Sequence, residues 1–119
     1  MGTFEVTVEV AGPSRDRFVR LDALVDTGST YTVLPASLLH ELGVEILDTA
    51  RFVLADGTEV ERDVGRVWVR FEGRERYVLV VFGEHPLLGA VTLEEFLLAA
   101  DPVAGRLVPV PGLMMRLAA

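Results

Sequence analysis

The sequence predicts a small, mostly-β protein, a barrel or sandwich of short strands that carries two short helices. Three observations predict it. Apolar and polar residues alternate with the two-residue period of half-buried strands in several separate stretches, turn signals built on Gly, Pro and Asp divide those stretches at short intervals, and only two segments carry helical spacing. The 119 residues have the size of a single domain over 1–119, with room for one core but not for two lobes.

The elements follow in order. Phe4, Val6, Val8 and Val10 alternate with Thr3, Glu5, Thr7 and Glu9, which gives a first strand, and Gly12-Pro13-Ser14 turns the chain. A second strand over 17–25 ends at Asp26. After a polar turn, the stretch from Pro35 to Gly43 has the proline start and glycine stop of a short helix. Arg51–Leu54 and Glu59–Glu61 flank Ala55-Asp56-Gly57-Thr58, whose Asp-Gly pair suits a tight hairpin turn with positive φ. Val64–Phe71 and Arg76–Phe82 form two more strands about Glu72–Glu75, and the unbroken apolar run Tyr77–Phe82 predicts a strand covered on both faces. Leu93, Phe96, Leu97 and Ala100 fall at helical spacing within Val91–Ala100, with Thr92 as the cap. A last strand over Gly105–Val110 precedes Pro111-Gly112 and the apolar tail Leu113-Met114-Met115.

Composition excludes several functions. A net charge of -7, with arginines interspersed among acids, argues against nucleic acid, which needs a basic stripe. Without cysteine there is no disulfide or thiolate metal site, and His40 and His85 stand apart, so no metal and no cofactor is expected. Every basic side chain other than histidine is arginine, and Lys, Asn and Gln are absent, a bias that GC-rich coding explains more simply than thermophily. No run approaches the roughly 20 apolar residues of a membrane span, and the start lacks a signal-peptide pattern, so a soluble cytoplasmic protein with no membrane partner is expected.

Chemistry must then come from oxygen groups, and one stretch concentrates them. Phe18–Val25 alternates and delivers Asp26-Thr27-Gly28-Ser29-Thr30, a carboxylate in a tight turn that glycine permits and short hydroxyls can orient. Two carboxylates about 3 Å apart cannot both ionise, so they share a proton and divide the roles of acid and base. The chain has no second such motif. A partner carboxylate must come from another copy, which a two-fold axis supplies, and a homodimer is predicted. Asp22 would lie some 13 Å from Asp26 along the strand and reads as a solvated residue. Taken alone, the Asp26 stretch could also be a capped turn before a helix.

With these elements in place, the chain resembles the retropepsin-like single-domain aspartic proteases, and more closely their bacterial members, over about residues 3–110. Leu24-Val25-Asp26-Thr27-Gly28-Ser29 matches the apolar-apolar-Asp-Thr-Gly-Ser/Ala motif, and Leu87-Leu88-Gly89 before a helix matches the second, apolar-apolar-Gly signature. The resemblance implies an aspartic endopeptidase in which Asp26 of each chain activates a water on a peptide or protein substrate. It implies a cross-dimer bond for Thr27, a backbone role for Gly28 in keeping the carboxylates coplanar, and structural support from Leu87, Leu88 and Gly89. The hairpin at Ala55, Asp56, Gly57 and Thr58 takes the place of the flap, although its charged tip departs from the glycine-rich retroviral tip. After Gly89 the chain continues Ala90-Val91-Thr92-Leu93, where bacterial relatives commonly place Met or Arg, then an acidic or polar residue and an aromatic. Terminal strands at Met1–Val10 and Val108–Met115 are expected to interleave between subunits. A Ser29 hydroxyl donating to Asp26 would lower the apparent pKa of the pair. The alternative is a catalytically weak or inactive retropepsin-like module for peptide binding or dimerisation.

Overall fold

The computed structural model describes residues 3–112 and Met114. Met1, Gly2, Leu113 and Met115, parts of the expected intersubunit strands, lie outside the described residues. Nine strands and two helices follow in chain order among the described residues: β1 (Phe4–Ala11), β2 (Val19–Val25), β3 (Thr32–Pro35), α1 (Ala36–Glu41), β4 (Asp48–Val53), β5 (Glu59–Phe71), β6 (Arg74–Gly83), β7 (Leu87–Leu88), α2 (Ala90–Glu95), β8 (Leu98–Asp101) and β9 (Arg106–Pro109). The main sheet runs β1-β2-β7-β3-β6-β5-β4, and a further β1–β5 pairing closes it into a barrel from which β4 and the outer half of β5 project as a hairpin. Inward residues of alternating strands fill the barrel. Val8, Val10, Ala23, Val25, Val67, Val69, Val78 and Val80 are all buried, and Leu93 and Phe96 of the α2 segment pack on the same core. Removing each such valine side chain from water contributes about 1.5–3 kcal/mol.

The closure seam carries an ion pair. Glu9 and Arg70 are cross-strand partners, and Arg70 Nε donates to Glu9 Oε1 at 2.9 Å. That hydrogen bond holds the Glu9 carboxyl below the ordinary glutamate range. A depressed carboxyl pKa contributes stability above its unfolded value, and the contribution fades as pH falls through the folded value. Glu9→Gln is therefore expected to lower the unfolding midpoint slightly at neutral pH and to match wild type in strong acid, as read by urea titrations at both pH values.

Several elements differ from the sequence prediction. The expected two strands over 59–61 and 64–71 are one thirteen-residue strand, because β5 exchanges partners without breaking: it pairs β4 up to Val64 and β6 from Val64 onward. Gly65 at this exchange allows the Val44–Glu45 backbone to pass, since a Cβ there would lie 2.5 Å from the Glu45 carbonyl oxygen. β3 was hidden in the polar turn. Its Thr32 and Val33 find partners on β6 and β7, and Pro35 caps α1 instead of opening it. The turn after β5 shrinks to Glu72-Gly73, both at positive φ, with Phe71 facing Arg74. The predicted helix over Val91–Ala100 becomes α2 over Ala90–Glu95, capped at Gly89, and Leu97 at φ 57° ends it. Residues 98–101 pair with β9, so tertiary hydrogen bonding overrides the helical spacing.

Candidate active site

β2 and β3 are not neighbours in the sheet. β7 lies between them, parallel to β2 and antiparallel to β3, so the loop from Asp26 to Tyr31 must straddle it. Backbone bonds hold the crossing: Asp26 N–H donates to Leu88 O at 3.1 Å, Ala90 N–H to Ser29 O at 2.8 Å, and Val91 N–H to Thr30 O at 3.0 Å. Leu87, Leu88 and Gly89 thus meet the Asp26 loop in space as well as in motif order. Beneath the loop, Thr32 Oγ1 lies 2.5 Å from Thr92 Oγ1 and accepts the Gly89 N–H at 3.1 Å, both threonines being buried. Sequence reasoning missed this pair. Thr92 looked like a cap, and a buried hydroxyl is evident only when its partner is known.

Asp26 stands half-buried at the end of β2, and Gly28 N–H donates to its Oδ1 at 3.0 Å. Thr27 is exposed. Ser29 departs from expectation. Its Oγ donates to Tyr31 O at 3.2 Å, and a hydroxyl has one proton to give, so the expected donation to the Asp26 carboxylate is replaced by a bond that tightens the loop. Ser29→Ala is accordingly expected to cost about 0.5–1 kcal/mol of stability, as read by urea unfolding.

A groove of about 590 Å³ adjoins the loop. Gly28, Ser29 and Tyr31 form one wall, Phe52, Val53, Leu54 and Val60 of the projecting hairpin another, and Val81, Glu84, His85 and Leu87 line the remainder. Tyr31 and Phe52 meet edge to face with centroids 5.9 Å apart, linking loop to hairpin. At the exposed hairpin tip, Leu54 N–H donates to Thr58 O at 2.8 Å and Gly57 N–H to Leu54 O at 2.9 Å. Ala55, Asp56 and Gly57 span the turn, and only Gly57 takes positive φ, at 88°, not both members of the Asp-Gly pair. Thr58 N–H donates to Asp56 Oδ1 at 2.9 Å, and this bond, followed by the Thr58 hydroxyl, holds the Asp56 carboxyl below the ordinary aspartate range.

The other polar residues have local explanations. Asp22 accepts from the Thr7 hydroxyl of its cross-strand partner at 2.7 Å. His40 lies on α1 against Phe82, and Trp68 stacks between Tyr77 and Arg15 on the sheet face.

A closed barrel whose aspartate loop is threaded by an apolar-apolar-Gly strand defines a retropepsin-like aspartic protease fold. Solved structures agree: the EIAV protease complexed with the inhibitor HBY-793 aligns with TM-score 0.58 and 21% identity over 77% of this chain and 86% of its own. The simian foamy virus (mac) protease in solution aligns with TM-score 0.54 and 20% identity over 76% and 94%. The aspartyl protease family model matches residues 6–94, and the chain belongs to that family. No curated protein matches the sequence.

Proposed function

We propose that two copies of this chain assemble into an aspartic endopeptidase with one Asp26 from each. The observation that carries the proposal is Asp26 itself, anchored through Leu88 and Gly28 beside a groove walled by a projecting hairpin. Family membership and the likeness to two viral proteases support the same reaction class. The two carboxylates share one proton. The ionised member takes a proton from a water as that water attacks the peptide carbonyl carbon, and the protonated member donates to the carbonyl oxygen. Collapse of the tetrahedral intermediate breaks the C–N bond: the amine leaves with the proton taken from the water, and a hydroxyl of the intermediate returns its proton to the other carboxylate, which restores the shared proton. Gly28 N–H orients Asp26, Thr27 bonds across the dimer, and the hairpin tipped by Asp56 and Gly57 closes over the peptide.

Cleavage of a diverse peptide library from acidic to neutral pH, with pepstatin and Asp26→Asn in parallel, tests this. Cleavage by wild type that falls at least ~10³-fold in the variant is expected. Cleavage retained by Asp26→Asn overturns the assignment, and no cleavage by a verified dimer at any pH leaves a peptide-binding module in its place.

A further inference from the structure

Strand alternation gives the projecting hairpin two unlike faces. Thr49, Arg51, Val53, Glu59, Glu61 and Asp63 share one, of which Arg51 and Val53 also line the groove, while Asp48, Ala50, Phe52, Val60, Arg62 and Val64 share the other, which turns toward the groove and the barrel. The outer face is polar and internally paired, with Arg51 Nη1 3.5 Å from Glu59 Oε1 and Thr49 Oγ1 donating to Asp63 Oδ1 at 2.8 Å. The inner face is apolar from Phe52 to Val60 and carries two charges, Arg62 and, at its base opposite Val64, the exposed Asp48, which accepts the Thr49 N–H at 2.8 Å. Arg62 lines the groove between Val60 and Val64, its Nη1 donates to the carbonyl of Glu61 at 2.9 Å, and among the described residues it joins no ion pair. Glu84 lines the same groove without reaching ion-pair distance of it.

Unlike Arg51, which also lines the groove but pairs with Glu59, Arg62 has donors left for a ligand, and a carboxylate matches a guanidinium's planar fork better than any neutral group. From these observations we propose that Arg62 is a specificity-determining residue that selects an acidic side chain in the bound peptide, an inference that rests on the peptide-groove reading above. Arg62 follows Gly57 at the tip by five residues, roughly 17 Å of strand. The selected acid therefore lies several positions from the residue under the tip, outside the subsites beside the cleaved bond. On a two-fold dimer the same selection operates on both sides of the cut.

The test is peptide binding to the Asp26→Asn dimer, followed by fluorescence anisotropy, with one Glu walked along an otherwise neutral peptide and Gln at the same position as reference. At one outer position on each side of the cut a Glu-over-Gln preference of about two- to fivefold is expected, shrinking as salt is raised. Arg62→Gln should bring that ratio to one, and Arg62→Glu should invert it and favour Lys. Equal binding of Glu and Gln peptides at every position, or a preference that survives both substitutions, overturns the inference. Because binding is read without turnover, charge selection in a protein that cleaves nothing sinks only the protease reading, whereas cleavage without charge selection sinks only the role of Arg62.

Discussion

Wild-type protein mixed with an equal amount of Asp26→Asn is expected to retain about a quarter of its activity per total dimer once subunits exchange, since only that share of random pairs carries two aspartates. A site complete within one chain would retain about half. The difference tests the shared-carboxylate proposal directly. Asn lacks both the ionised oxygen that accepts the water's proton and the acidic proton that reaches the carbonyl, so mixed pairs lose the division of labour between acid and base. The substitution is suited to the purpose because Gly28 N–H, 3.0 Å from Asp26 Oδ1, finds the same acceptor in the Asn amide oxygen. Loop geometry is thereby kept while the chemistry is removed. Activity measured against the fraction of variant should fall as the square of the wild-type fraction, with sedimentation confirming dimers throughout. A linear fall would mean that each chain carries a complete site of its own.

The parts of the site legible in the sequence are those whose meaning is local. Asp26 through Ser29 announces a strand running into a polar turn, and Gly57 announces a hairpin tip, because backbone conformation and neighbouring side chains decide both. Leu87-Leu88-Gly89 carries little by itself and becomes informative through its order after the aspartate motif. What stayed hidden depends on contacts across the chain. The proton of Ser29 could go to Asp26 or to Tyr31 O, and loop curvature chooses the second. Thr32 and Thr92 stand sixty residues apart, and only the threading of β7 makes them a buried pair. Leu98–Asp101 has helical neighbours and strand partners, and the pairing with Arg106–Pro109 prevails. Arg62 reaches the groove face only through its register with Ala50.

Gly89→Ala is expected to destabilise the fold by about 3 kcal/mol or more, a large share of the roughly 5–15 kcal/mol that holds a domain together. Conformation is not the reason. Gly89 has φ -95° and ψ 175°, angles open to alanine. The obstacle is proximity: a Cβ would lie 2.5 Å from both the carbonyl carbon and oxygen of Tyr31 and 2.8 Å from the Thr30 carbonyl carbon. Those are backbone atoms, so no rotamer change relieves the overlap, and the β7 segment must move away from the aspartate loop. Such movement strains the bonds from Ala90 N–H to Ser29 O and from Val91 N–H to Thr30 O, together with the Gly89 N–H bond to Thr32. Gly57→Ala provides the contrast, because its φ of 88° strains alanine while the surrounding space is empty, limiting the expected loss to about 1 kcal/mol. Urea unfolding of the two variants separates crowding from conformational strain, and a Gly89→Ala loss no larger than that of Gly57→Ala would show that the crossing yields. A folded Gly89→Ala protein with reduced turnover would show that the crossing positions Asp26 as well as supporting the barrel, since Asp26 N–H is held by Leu88 O, one residue before the glycine.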